Sequence, residues 1–190
     1  MAGSRSNRER TETTRLALLE AARGLFVSRG YAETSTPEIC AAAGITRGAL
    51  YHHFVDKRDL FRHVLAREAE AVAAQIEAAA PTASEPRTAL IAGSEAYLDA
   101  MAVAGRTRLL LIDGPAVLGL TELAALDDAN AARMLREGLA AALQRDAAQV
   151  DALARLLSAA FDRAALEIDA GTDAEAIRTA MRELLTRTIA

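Results

Sequence analysis

The chain has 190 residues, 52% of them apolar and 4% aromatic, with no tryptophan and a formal net charge of −4. That length suits one compact unit, or a small unit joined to a larger one, with a core that needs no covalent staples. The single cysteine, Cys40, excludes an internal disulfide and fits a reducing cytoplasm, and no apolar run has secretory or membrane-spanning length.

Alanine and leucine dominate while β-branched and aromatic residues are sparse, so an all-α protein is expected. Residues 1–63 hold ten basic and seven acidic side chains, a net of +3, whereas the remainder holds twelve against nineteen, a net of −7. A basic head on an acidic body suggests that only the head meets a polyanion. Residues 1–10 are polar and arginine-bearing, and read as a flexible basic arm. From about Thr11 a helical stripe runs through Leu16, Leu19, Ala22 and Phe26, with a stop expected at Gly30.

Ser35-Thr36-Pro37-Glu38 has the form of a capping box, with Pro37 where a missing N–H costs nothing. The short helix it opens should bury Ile39, Cys40 and Ala43 and end at Gly44. Thr46 can cap another short helix carrying Leu50 and Phe54 on its inner side. Two short helices joined by a glycine turn make a helix-turn-helix. Asp56 can cap the next helix, which buries Leu60, Phe61, Val64 and Leu65 and runs to about Ala79. The clearest break follows at Pro81–Pro86. Beyond it helices are expected near 86–104, 106–112, 116–126, 129–145, 147–170 and 173–189, with a turn or kink at Asp113-Gly114-Pro115.

The second helix of a helix-turn-helix enters the major groove by its first turn, which must be slim, donor-rich and free of acid. Thr46, Arg47, Gly48 and Ala49 meet these demands. Arg47 can offer two parallel donors to a guanine edge or a charge to a phosphate, and Gly48 lets the backbone approach closely. Tyr51 and His52 share this side and can donate to phosphate, while His53 flanks it. Lys57 is the only lysine of the chain and sits at a helix start, the wrong end for its charge unless an anion lies beside it.

The segment from about Thr11 to Leu65 resembles the DNA-binding head of the TetR family of bacterial transcriptional regulators. The resemblance rests on Leu25-Phe26, Gly30-Tyr31, Thr34-Ser35, Ile39, the run Gly44 to Phe54, Lys57 and Leu60-Phe61, with Thr36 and Cys40 as mild departures. It implies phosphate contacts by Thr36, Thr46, Tyr51, His52 and Lys57, and base contacts around Arg47 and Gly48, extending to His53. It also implies a helix-turn-helix domain at 11–71, and a body at 72–190 that dimerises and binds an inducer. The partners would be a near-palindromic operator, a second copy and a small molecule, with no membrane; the mechanism would be release of a repressor.

In the body, Leu153, Leu157, Ala160, Phe161, Ala164 and Ile168, with Ile177, Met181, Leu184 and Thr188, form apolar stripes on two long helices. They could pair with a symmetry mate as a four-helix bundle, or face only their own core. A pocket is sought around Tyr97, Met101, Arg108, Leu111 and Phe161. With Tyr97 and Phe161 the only aromatics of the body, a neutral or aliphatic ligand is expected rather than a caged flat cation. Arg106, Arg108 and Asp113 could orient a polar group or simply be solvated helix ends. No nucleophile elbow, zinc pair or phosphate loop organises the serines, acids and three histidines, so neither an enzyme nor a metal or cofactor is expected.

Overall fold

The structure, a computed structural model, describes residues 7–79, 85–143 and 145–190, and these are helical with short turns and without strands. The chain forms two compact units dividing between Ala66 and Arg67. The expected break at Pro81–Pro86 lies largely outside the described residues, since 80–84 are among those left out.

The first unit holds α1 (Asn7–Arg29), α2 (Thr36–Ala43), α3 (Arg47–His53) and the start of α4 (Lys57–Ala79). Helix α1 begins within the stretch expected to be flexible. Glu9 suits the positive end of the helix dipole, and the Thr13 and Thr14 hydroxyls bond back to the carbonyls of Glu9 and Arg10. Residues 1–6 of that arm lie outside the described residues. The buried stripe of α1 is Leu18, Leu19, Ala22 and Phe26; Leu16, placed in the stripe from sequence, is 40% exposed because it lies off that face. Gly30 takes φ 84°, the left-handed conformation that ends the helix. The core of this unit is aromatic: Phe26 meets Phe61 edge-on at 5.0 Å, and Tyr31 lies 4.9 Å from Phe61.

The capping box forms in full. Ser35 Oγ accepts from the Glu38 amide, and Glu38 Oε2 accepts from the Ser35 amide at 2.9 Å. The Ser35 hydroxyl, which donates to Glu38 Oε2 at 2.7 Å, then the Ser35 amide, and more weakly Arg29 at 2.6 Å, hold the Glu38 carboxyl below the ordinary range. Gly44 closes α2 at φ 66°.

The second unit holds the rest of α4 and α5 (Pro86–Met101), α6 (Arg106–Arg108), α7 (Gly114–Leu118), α8 (Leu120–Asp128), α9 (Ala131–Ala142), α10 (Ala147–Asp169) and α11 (Ala174–Thr188). Asp113-Gly114-Pro115 does not break the chain as expected. A π-turn at Leu109–Asp113 joins α6 to α7, with the Gly114 amide donating five residues back to Leu109. That wider turn takes up a proline that could not donate to an α-helical ladder. The break falls instead at Gly119, whose φ 85° and ψ 160° only glycine adopts readily, so the helix expected at 116–126 is two helices.

Leu90, Leu98, Leu139, Leu157, Phe161 and Leu185 centre the core of this unit. The stripes on α10 and α11 therefore serve mainly their own protomer. Leu157, Phe161, Ala164 and Met181, expected at a dimer interface, are buried here, and Leu153, Ala160, Ile168 and Ile177 pack against the same cluster. Period alone cannot say which of two faces a long helix buries within its own chain.

Arg106 is also not the solvated helix end considered from sequence. Its Nε donates to Glu68 Oε2 on α4 at 2.8 Å and its guanidinium to the Ala100 carbonyl at 2.6 Å, with both charged side chains less than a tenth exposed. Removing one partner of such a pair strands a charge in low dielectric, whereas replacing both does not. Glu68→Ala is expected to cost about 3–5 kcal/mol, and Glu68→Leu with Arg106→Met substantially less, by denaturant unfolding of the full chain.

Candidate nucleic-acid interface and body cavity

Helix α3 has seven residues, too few to be stable alone, so other groups must hold it. Leu50 and Phe54 are buried on its inner side, at 0% and 1% exposure. Thr46 caps its start by accepting from the Ala49 amide at 3.3 Å. With the inner face fixed, Thr46, Arg47, Gly48, Tyr51 and His52 are exposed, and Ala49 and His53 are partly exposed at the flanks. A methyl group at Gly48 would meet nothing within 4 Å, so no packing within the chain requires glycine there. A helical glycine costs about 1 kcal/mol relative to alanine. The empty space above it is room for another molecule's backbone.

Three of the expected phosphate ligands come together from different elements. Thr36 at the start of α2, Tyr51 on α3 and Lys57 at the start of α4 line one open groove, with Glu33 at its rim. Hydrogen bonds to the side chains of Thr36 and Arg47 hold the Tyr51 phenol below its ordinary pKa. Lys57 has a structural task that sequence did not reveal. Its Nζ donates to the carbonyls of Tyr31 at 3.0 Å and Thr34 at 2.9 Å, and lies 4.1 Å from the centre of the Tyr31 ring. An ammonium has three protons, and these carbonyls take two of them. Loop carbonyls thus offset the unfavourable dipole end, a role the sequence reading gave to an external anion.

Burial, then the neighbouring charges of His52 and Arg15, push the His53 imidazole down, which favours its neutral form. Cys40 is a small core residue whose thiol is pushed up by burial, so it has little thiolate character. Among the described residues no group of histidines, cysteines and acids is arranged to hold a metal.

The second unit contains two adjoining cavities of about 250 and 230 Å³, both touched by Tyr97, Asp127 and Ala131. Of the residues sought from sequence, Tyr97 and Phe161 line the first, and Tyr97, Met101 and Leu111 the second. Arg108 lines neither: it is half exposed, with Nε 3.4 Å from Asp113. Its place on α6 turns it outward, opposite the neighbour Thr107 that is buried.

Sequence reasoning missed the polar part of the walls. Asp162 accepts from the Tyr97 hydroxyl at 2.6 Å, and Asp127 from the Ser158 hydroxyl at 3.4 Å. Ser158, Phe161, Asp162 and Ala165 follow a helical spacing along the inner side of α10, so an acid on an apolar stripe was the available signal. Burial, set against the Tyr97 hydrogen bond, pushes Asp162 up to about 6, with Asp127 adding to the rise. Burial likewise raises Asp127 and the Tyr97 phenol.

With its native pKa above the ordinary value, Asp162 keeps a proton that the unfolded chain releases, so stability falls as pH climbs from about 4 to about 6. Tyr97, Asp127 and Asn130 are the polar groups that line the same cavity. Asp162→Asn keeps an acceptor for Tyr97 and removes the charge. It is expected to stabilise the chain by about 2 kcal/mol at pH 7.5 and negligibly at pH 4, by thermal unfolding.

Residues 18–64 match the family described as "Bacterial regulatory proteins, tetR family", and residues 87–190 match "Tetracyclin repressor-like, C-terminal domain". The transcriptional regulator AcrR of Shigella flexneri is 44% identical over 61 residues, 32% of this chain and 28% of that protein. The transcriptional activator FasR of Mycolicibacterium smegmatis is 36% identical over 95 residues, 50% of this chain and 43% of that protein. The chain thus spans less than half the length of these curated relatives. A TetR-family regulator from Pectobacterium atrosepticum aligns with a TM-score of 0.66 and 30% identity over 96% of this chain and 95% of that one. The TetR-like regulator LfrR from Mycobacterium smegmatis, solved with proflavine, aligns with a TM-score of 0.65 and 26% identity over 92% and 95%. The matches cover head and body alike, in the order the sequence puts them: this chain belongs to the TetR family of transcriptional regulators.

Proposed function

We propose that the protein is a cytoplasmic homodimeric repressor that reads a near-palindromic operator and leaves it when a small molecule enters the body. The head at 11–71 does the reading, and the body at 72–190 pairs and senses. The observation that carries this is the exposed Thr46-Arg47-Gly48 turn, with Gly48 open above it, beside the groove of Thr36, Tyr51 and Lys57. Arg47 reads a base edge with Gly48 and Ala49 against the groove floor. Thr36, Thr46, Tyr51, His52 and the third proton of Lys57 hold phosphates, and His53 flanks them. Among the described residues no helix is long and apolar enough to cross a membrane.

A repressor relative, BepR of Brucella suis, is 46% identical over 54 residues and supports this sign of regulation. Proflavine in LfrR supports a body that takes small molecules. Release from DNA follows a population shift, for which the ligand must favour one of two body arrangements. Helix α4 is continuous from Lys57 to Ala79, and Glu68 on it is bound to Arg106. The π-turn that follows supplies Leu110 and Leu111 to a cavity wall. A ligand that reshapes this turn pulls on α4 through that ion pair.

For pairing we assign the outer face of α10 and α11. Leu156 is 71% exposed and Leu184 45%, among exposed Ala152, Ala159 and Ala180 that let helices approach. Two operator half-sites about 34 Å apart need two linked heads.

Selection of binding sequences by the full chain is expected to return a near-palindrome. Arg47→Ala should lose preference at one position of each half-site, a discrimination of about 1–3 kcal/mol. Tyr51→Phe should weaken all sequences alike. An unchanged preference in Arg47→Ala refutes the base contact, and no preference in the wild type makes the protein a DNA-coating one. Leu156→Glu with Leu184→Glu should turn the dimer into a monomer by sedimentation and lower operator affinity by roughly a hundredfold or more.

A further inference from the structure

The body carries a net charge of −7 beyond residue 63, yet its arginines are not sent to two partly buried acids. Arg106 pairs with Glu68, Arg136 approaches Asp128 and Asp151, Arg163 holds Glu167, and Arg178 holds Glu95 and Asp99. Asp127 and Asp162 have only neutral partners among the described residues: the Ser158 hydroxyl and the Ala132 amide for one, the Tyr97 hydroxyl for the other. They come from α8 and α10: Asp127 lines both cavities and Asp162 the second, near enough for their charges to act on each other.

The remaining walls are mostly apolar, with Leu90, Met134, Leu135 and Phe161 on one side and Met101 and Leu123 on the other, and their further polar groups, Ser94, Ser158 and Asn130, carry no charge. Tyr97 and Phe161 stand edge to face at 5.8 Å, leaving ring surface for the cavity. Two carboxylates without a counter-charge in such a place are unfavourable for the empty protein. A positive charge entering there removes that penalty, and apolar walls reward the rest of the molecule. A neutral aliphatic guest, expected from sequence, would leave the penalty standing.

We propose that the body cavity is a receptor for amphiphilic organic monocations, with a protonated amine between Asp127 and Asp162 and an apolar body against Leu90, Met134 and Phe161. This rests on the reading of the body as the sensing unit. The amine donates to both carboxylates, and the Tyr97 hydroxyl keeps Asp162 turned toward it.

The test is calorimetry on the full chain at pH 7.5 with three probes sharing one body: phenylbutylammonium, phenylbutanol and phenylbutyrate. The ammonium is expected to bind about tenfold or more tighter than the alcohol, and the carboxylate not at all. Asp127→Asn and Asp162→Asn should each weaken the ammonium about tenfold and leave the alcohol unchanged. Circular dichroism confirms that each variant is folded. An alcohol that binds as well as the ammonium, Asn variants that bind the ammonium like the wild type, or a folded chain that binds none of the three overturns the proposal. Operator binding is measured separately, without probe. Its absence would undo the regulator reading and leave the calorimetric result intact.

Discussion

The presentation of α3 depends on its burial and not on its own helical stability. Seven residues are too few to offset helix nucleation in water, and Gly48, Tyr51 and the two histidines are not strong helix formers. Leu50 and Phe54 give the helix its inner anchor, and the Thr46 cap and the turn at Gly44 set where it starts. Lys57 then fixes the frame around it. By bonding the Tyr31 and Thr34 carbonyls it ties the start of α4 to the loop between α1 and α2. Thr34 is itself held by its hydroxyl on the Gly30 carbonyl at 2.8 Å. One ammonium therefore satisfies two carbonyls of a loop with no helical partners of its own, and stacks on a ring of the aromatic core. The exposed residues of α3 are placed by its buried anchors together with a cap and a lysine at its ends.

The body contains two kinds of shielded charge, one buried and one partly buried. Glu68 and Arg106 neutralise each other, and the guanidinium uses a further donor on the Ala100 carbonyl, so the pair is satisfied within the chain. Asp127 and Asp162 are not. Hydroxyl donors soften their desolvation but bring no opposite charge, and the lift of Asp162 to about 6 expresses the remainder. The first arrangement locks two helices; the second stores unfavourable energy at a cavity. Together they separate the part of the body suited to transmit a change from the part suited to receive one.

How much of this was legible in the sequence follows the range of the interactions involved. The capping box, the glycine stops at Gly30 and Gly44 and the cap at Thr46 are local, and the residues that make them are within four positions of one another. Helix bounds in the body were legible for the same reason, except where backbone geometry is unusual. A π-turn has no residue signature, and Pro115 by ordinary rules announces a break that the wider turn absorbs. What failed was anything that depends on distant partners. Arg106 finds Glu68 across 38 positions, Tyr97 finds Asp162 across 65, and Lys57 finds Tyr31 across 26. The stripes of α10 and α11 had the right period but an undecidable direction, because a core of the same chain and a partner's surface ask for the same residues.

The same distances explain why head and body place different demands on their sequences. The exposed side of α3 is set by its own residues once a few anchors are buried, so substitutions there leave the scaffold in place. The cavity of the body is shaped by α5, α8, α9 and α10 at once, and its polar groups lie on three of them: Tyr97 on α5, Asp127 on α8, and Ser158 and Asp162 on α10. Each aspartate is tolerable only because a hydroxyl from another helix, or an amide beyond its own, meets it. A shift of one helix thus changes the solvation of an acid on another. A cavity wall built from such pairs is held jointly by several helices and not one residue at a time.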